Sequence, residues 1–364
     1  MVKRKKVLVI GGGPAGIMAA IACKTYHSNY DVTIIERNSS LGKKLCLTGG
    51  GRCNVTALVD NETVIKNTVQ NGKFLYSSLT DFNTTDIYHF FEERNCLLQV
   101  EERYRVFPAS NQAESIVNVL LAEIKKLNIE VKYECYIEDI QKLKYDHLIL
   151  ATGGNSYWQT GSDGTGYLLA KQLGHTITDL APAEVALVSN DAVIQSKKLQ
   201  GLSFNDVKIT IGKKMLTHDL IITHFGLSGP LALGVSSNLN FFPTEISIDF
   251  LPNLSWDSIK NDKKQLEVLP KRLLRYIKEE TSSEDELISK IKAFPLTIHD
   301  TKGFSSAFVT KGGVSIKELD PKTMKSKKDP QLSFCGEVLD LNAYTGGYNM
   351  TIALVTGYCA GKNV

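Results

Sequence analysis

Gly11, Gly13 and Gly16 stand directly after a short apolar run, residues 7–10, and open a segment of helical character that begins near Pro14. Twenty residues beyond Gly16, Glu36 closes a second β-branched run, residues 32–35. In a strand–turn–helix–strand unit the first glycine permits the tight turn and the second lets backbone approach a pyrophosphate. The third lets helix pack on strand, and the helix N-terminus supplies free N–H groups and partial positive charge. Glu36 is placed to accept hydrogen bonds from ribose hydroxyls, and its charge disfavours a 2′-phosphate. The ligand read from this spacing is an unphosphorylated adenosine dinucleotide, FAD or NAD.

The residues after this acid separate the two ligands. Leu41, Gly42, Lys43 and Lys44, then Thr48, Gly49, Gly50, Gly51, Arg52, Cys53 and Asn54, form a long glycine-rich basic segment. A domain that binds only NAD has no use for it. A flavin extends beyond the first crossover, where small residues with exposed N–H groups can border the isoalloxazine and Arg52 or a lysine can offset phosphate charge. Lys43 and Lys44 read equally as surface charges. Gly161, Gly164 and Gly166 precede a helical segment and read either as a further flavin-facing turn or as a β-turn and cap.

Other chemistries are less well supported. Cys46 and Cys53 sit where flavin disulfide reductases carry a redox pair, but six residues, three of them consecutive glycines, lie between them. Packing or a flavin-lining thiol is the preferred reading. The seven histidines are dispersed, with no His-Glu-x-x-His, so no metal site is expected. No Gly-x-Ser-x-Gly elbow points to a hydrolase. For proton handling the weak candidates are His224 and Tyr344, with Tyr157 weaker still, and a structural role for His224 is at least as well supported.

These residues need a scaffold. The runs at 7–10, 32–35 and 148–151 read as strands buried on both faces of a parallel sheet, with helices at 77–94 and 112–127 and a strand at 129–137 between them. From about residue 187 short alternating segments appear, such as Val207, Ile209 and Ile211, then Ile246, Ile248 and Phe250. Residues 254–293 are rich in Lys, Glu and Leu at helical spacing. The expected organisation is α/β: a discontinuous Rossmann-like domain, residues 1–186 and 311–364, a β-rich insertion, 187–252 and 294–310, and a small helical subdomain, 253–293. A last helix from Tyr348 to about Ala360 rejoins the first domain.

The 364 residues, with 42 Lys plus Arg against 39 Asp plus Glu and 43% hydrophobic residues, describe a soluble globular chain. Disordered and collagen-like classes are excluded. Seven cysteines without Cys-x-x-Cys encode neither a disulfide framework nor a zinc ribbon and suit a reducing cytoplasm. No run reaches the ~18 apolar residues that span a bilayer. Basic residues 3–6 before an apolar stretch ending at Cys23 resemble an exported lipoprotein signal, but Gly11, Gly12, Gly13 and Pro14 interrupt it.

The ordered motifs GGGPAG, LGKK, TGGGRCN, FPAS, ATGG, TGSDGTGY, THFGLSGP, TKGGV, FCGEVLD and TGGYN together resemble the bacterial flavoproteins that include aminoacetone oxidase and a bile-acid-induced NAD(P)/FAD-dependent oxidoreductase. The resemblance runs from Val7 to Gly361. It implies a glutathione-reductase-like FAD-binding domain in two chain pieces. It places Gly11, Gly13, Pro14, Ala15 and Gly16 at the pyrophosphate, with Glu36 and Arg37 at the adenosine ribose. Lys44 and the turn Gly50, Gly51, Arg52, Cys53 and Asn54 fall along the ribitol and flavin, and Ile137 contacts adenine through its backbone. Ala151, Thr152, Gly153 and Gly161 line the same ligand. Gly336 and Glu337 stand where related flavoproteins use Gly-Asp for the ribitol. Gly346, Gly347, Tyr348 and Asn349 open the final helix, whose N–H groups can stabilise negative charge on the reduced flavin. Tyr104 and Arg105 depart from the family's Gly-Arg at that point.

The expectation is an FAD-dependent oxidoreductase that moves a hydride between bound flavin and a small-molecule substrate, either as an oxidase or with NAD(P)H as transient electron donor. No second Gly-x-Gly-x-x-Gly follows a strand, so a resident nicotinamide site is not expected. A flavin-containing RNA-binding or tRNA-modifying protein, suggested by lysines at 3–6 and 322–328, and a redox sensor that binds FAD without turnover are the alternatives. With a net charge of only +3 and no aromatics among those lysines, no nucleic-acid partner is expected, nor a membrane. The oligomeric state is left open.

Overall fold

A computed structural model describes residues 4–364; Lys3 of the first basic run lies outside the described residues. The chain divides into two units, one running through Ala181 and resuming over Val309–Val364, the other Pro182–Phe308. Five parallel strands form the centre of the first unit: β1 Lys6–Ile10, β2 Asp31–Ile35, β3 Glu130–Lys132, β4 His147–Leu150 and β5 Leu332–Phe334. Their order is β5-β4-β1-β2-β3, with Val7 opposite both Val32 and His147. Val7, Val9, Ile34, Leu148, Ile149 and Leu150 are buried, as helix-covered parallel strands require. β3 is far shorter than the expected 129–137. After Lys132 the chain turns through Glu134, at φ 54°, and its next amides bond to the backbone of Asn38 and Glu36 instead of extending the ladder.

The first helix, Pro14–Tyr26, lies against the last, Tyr348–Lys362, by direct backbone approach. A Cβ on Gly357 would sit 2.3 Å from the Ala15 carbonyl oxygen, and one on Gly361 2.0 Å from that of Ala19. The two contacts advance together along both helices, so the helices run parallel. The helix expected over 77–94 is two, Tyr76–Asp81 and Thr84–Glu92, because Asn83 caps the second through a reciprocal capping box with Asp86. The helix expected over 112–127 spans Ala113–Lys126.

The second unit is built on a seven-stranded antiparallel sheet that includes the hairpin Ser203–Ile211 and Lys214–Ile222 and the strand Thr244–Asp249. Val207, Ile209, Ile246 and Ile248 turn inward at the expected period of two. The helices Trp256–Asn261, Lys271–Glu279 and Glu284–Lys292 do not form a separate body. Ile259, Leu273, Ile277, Ile288 and Ile291 join Ile248 and Phe294 in one core, because the inward face of each helix is too small to bury itself alone. Among the described residues no helix is long and apolar enough to cross a membrane.

Candidate functional site

The glycines of the first turn divide by what surrounds them. A Cβ on Gly11, at φ 107°, would lie 2.3 Å from the Ala151 carbonyl oxygen, and one on Gly16 2.0 Å from that of Gly11. Both are demanded by packing between strand and helix. Gly13 has nothing within 4 Å and caps a helix that carries no side-chain cap and no acid in its first turn. Pro14 contributes no N–H, and Ile17 N–H is spent on Gly13, so Ala15 and Gly16 supply the free donors. An open, electropositive helix end beside a bare backbone position is what a diphosphate needs.

Glu36 is buried at the end of β2. One carboxylate oxygen accepts the Gly12 amide at 2.7 Å, and the other accepts the Asn38 backbone and side-chain amides at 2.8 and 2.6 Å. A carboxylate has about four acceptor sites, so a ribose hydroxyl can still be bound. Gly12 and Asn38, which the sequence pattern did not single out as site residues, fix this acid; a Cβ on Gly12 would meet Glu36 and Leu41. The run of three glycines was the available signal for the former.

The last helix brings a second uncapped N-terminus. Ala15, one residue into the first helix, meets Gly357, nine residues after Tyr348, so at 1.5 Å per residue this end projects roughly 12 Å beyond the start of the first helix. Gly347, at φ 100°, has no room for a Cβ: it would lie 2.5 Å from the Thr56 carbonyl carbon and 2.9 Å from Asn54 Oδ1. Thr56 and Thr351 hydroxyls bond at 2.7 Å and hold the helix on this strand. Asn54 Oδ1 and Thr152 Oγ1 are buried without a partner. Burial raises the Tyr348 hydroxyl pKa above its ordinary value. The Asn349 side-chain amide bridges both backbone groups of Ala343 at 2.8 and 2.7 Å, which leaves its backbone N–H at the helix end.

Between these two ends lies a charged cluster. Lys44 Nζ is 2.7 Å from Glu337 Oε2 and donates to Ser156 Oγ at 3.0 Å. Glu337 Oε1 accepts Ser156 Oγ at 3.1 Å and the Thr310 amide at 2.9 Å. Glu337 is therefore tied to protein groups at both oxygens, and Lys44 is a held charge, not a loose surface lysine. Gly336, at φ 77°, presses on Ala15, and Gly153, at φ 75°, on Ser162. Gly50 borders open space and Gly51 has φ 87°.

Several expected residues are engaged otherwise. Arg52 pairs with Glu101, donates to Asn111 at 2.8 Å and lies 4.2 Å over the Phe107 ring, so its charge is compensated away from a phosphate. Arg37 pairs with Asp163 at 2.5 Å and reaches the Gly161 carbonyl at 3.4 Å. The Gly161 turn thus packs on residues 37–38 beside Glu36, and Gly164 caps the helix Thr165–Gln172. Ile137 is half-buried in the segment beside Glu36. Cys46 and Cys53 are free; burial raises both thiols, Cys53 to about 12. Tyr344 is half-buried, its amide bonded to Asn67. His224 belongs to the second unit, exposed and in edge contact with Phe225. Among the described residues no group of three or more His, Cys, Asp or Glu could hold a metal ion.

The open space at Gly13, the buried acid, the orphaned Asn54 and Thr152 oxygens and the second helix end fit FAD, a ligand with a diphosphate at one place and an anion-forming ring further on. The fold is a Rossmann-type FAD-binding domain and its class is that of the FAD-dependent oxidoreductases. Residues 5–363 match the HI0933-like protein Rossmann domain, and the chain belongs to that family. It is 29% identical to a 3-dehydro-bile acid delta(4,6)-reductase of Clostridium scindens and 28% identical to a ribosomal RNA dihydrouridine synthase of Haemophilus influenzae, each match spanning 98% of both chains. Among solved structures, a quinol–fumarate reductase shares the fold at TM-score 0.52 and 16% identity, over 98% of this chain and 70% of that one. A 3-ketosteroid delta1-dehydrogenase of Sterolibacterium denitrificans does so at TM-score 0.50 and 10% identity, over 98% and 99%.

Proposed function

We propose that this protein reduces a carbon–carbon double bond conjugated to a carbonyl, with NAD(P)H as a visiting hydride donor. One observation carries the reading. Two relatives matched over nearly their whole length are named for the same bond change on unrelated molecules, a ring alkene of a 3-oxo bile acid in one and the pyrimidine double bond of uridine in the other. What they share is the reaction, not the substrate. The absence of a second dinucleotide fingerprint in the sequence supports a donor that enters and leaves.

Bound FAD supplies hydride transfer in both half-reactions. The protein's part is to hold and tune. The Ala15 and Gly16 amides receive the diphosphate, and Glu36 accepts from the ribose. Lys44, fixed by Glu337 and Ser156, provides a positive charge that does not have to reorganise. The free amides of Tyr348, Asn349 and Met350 offer the positive end of a fifteen-residue helix to negative charge on the ring.

Anaerobic mixing tests the reading. NADH or NADPH should bleach the flavin absorbance, and a 4-en-3-one steroid or a uridine-containing RNA should restore it without air. Bleaching by amines alone, with recovery only on admitting dioxygen, would establish an oxidase instead. Failure of every reductant would leave a binding protein without turnover.

A further inference from the structure

The helix Lys271–Glu279 carries positive charge that its surroundings do not neutralise. Leu273 and Ile277, fully buried, anchor it to the core of the second unit. At about 100° per residue, Lys271, Arg275 and Lys278 then fall within about 60° of arc on the opposite side. All three are exposed, and among the described residues none has an ion-pair or hydrogen-bond partner for its side chain. Nearby cations are spent. Lys260 pairs with Asp285 at 2.9 Å and Lys263 with Glu284 at 2.6 Å, Lys290 holds Glu280, and Arg272 donates to the Gln200 carbonyl. The three free cations, with Leu274 and Glu279, border a shallow, open depression on the helix surface. Glu279, the one acid in it, is drawn to Lys198 at 3.4 Å.

We propose that this face binds consecutive phosphates of a single-stranded nucleic acid. From Lys271 to Lys278 the helix rises seven residues, roughly 10 Å, so the row of cations is long enough to follow successive phosphates of an extended single strand. A row of exposed, uncompensated cations at that pitch binds by releasing counterions and reads no sequence. A lipid surface fits less well, because the apolar residues of this helix are buried or, for Leu274, half-buried, leaving nothing to insert. The low net charge gave no reason to expect such a partner, and the lysines at 322–328, which did suggest one, are partly engaged within the protein. Lys328 is held by Glu318 at 2.8 Å and Lys327 by the Lys317 carbonyl at 2.9 Å. Lys271, Arg275 and Lys278 lie elsewhere, gathered by helical spacing. The proposal is independent of the reductase reading, since binding is measured without turnover.

Fluorescence anisotropy of the purified protein with labelled oligouridine, and in parallel oligothymidine, across a salt series tests it. The wild type should bind at low salt. Lys271→Gln/Arg275→Gln/Lys278→Gln should flatten the log affinity against log salt plot by about 2, three contacts at about 0.7 each for a single strand. Lys260→Gln/Lys263→Gln/Lys290→Gln removes as much charge from paired positions and should keep the wild-type slope. Circular dichroism checks that both variants are folded, and Arg275→Gln alone should lower the slope by about 0.7 if the triple variant is not. No binding of either oligonucleotide at low salt, equal slopes for wild type and the first variant, or binding only to phosphatidylserine vesicles would overturn the proposal.

Discussion

Lys44 and Glu337 meet at 2.7 Å although 293 positions separate them, and each also bonds to Ser156. The pair joins the glycine-rich loop after β2 to the turn after β5. Both side chains are about one-fifth exposed, so the pair is neither fully screened nor fully desolvated.

Removing both partners should cost less than the two single losses added together. Lys44→Met or Glu337→Gln leaves a half-buried group uncompensated, at about 1–3 kcal/mol. The double substitution Lys44→Met/Glu337→Gln should recover about 1 kcal/mol of the summed loss. Urea denaturation of the four proteins measures the coupling; strictly additive losses would show that the pair does not act as a unit.

Gly357→Ala should destabilise the protein by about 1–3 kcal/mol, because its Cβ would meet the Ala15 carbonyl at 2.3 Å and the helices cannot separate without disturbing their packing. Flavin retention should fall with it, since the same contact sets the offset between the two helix ends. Thermal melts and the flavin-to-protein absorbance ratio report the two effects. An unchanged melt would mean that the helices yield.

Acid should destabilise the fold from near pH 6.5 downward. Burial, with Lys325 and Lys5 nearby, lowers the His147 pKa to about 3, and its ring bonds to Ser333 at 2.9 Å. Below 6.5 the unfolded chain binds a proton that the folded chain refuses, so stability falls at about 1.4 kcal/mol per pH unit toward pH 3. Glu318 acts in the same direction at lower pH. Burial alone would raise it, but hydrogen bonds from Lys328 and Thr176 hold it at about 2, so its contribution is complete above about 4.5 and lost toward 2. His147→Gln should remove one proton from the slope between pH 6.5 and 4.5 in urea titrations at several pH values. An unaltered slope would show that His147 titrates normally.

What was legible in the sequence was local or periodic. The spacing from Gly11 to Glu36 fixes a strand, a turn, a helix and a strand within one crossover, and buried parallel strands are written as unbroken apolar runs. Pairings across the chain were not legible. That Arg52 faces Glu101, or that Asn349 folds back on Ala343, depends on a register no local pattern encodes. The helical stretch 253–293 looked separate because its composition changes, whereas its apolar residues complete the core of the neighbouring sheet. The free cations at Lys271, Arg275 and Lys278 were visible as letters, but their lack of partners was not.

Reception of the FAD diphosphate by the first helix and the bare backbone at Gly13 is the point on which the rest depends. Titration of flavin-free protein with FAD, followed by quenching of flavin fluorescence, tests it directly for the wild type and Gly13→Ala. Gly13 has φ −79° and open space, so the substitution should leave the melt within about 0.5 kcal/mol while weakening FAD at least about tenfold, or 1.4 kcal/mol. One FAD per wild-type chain, lost in the variant without loss of fold, is the predicted result. A wild-type chain that takes up no FAD, or a variant that binds it as tightly, would contradict the account.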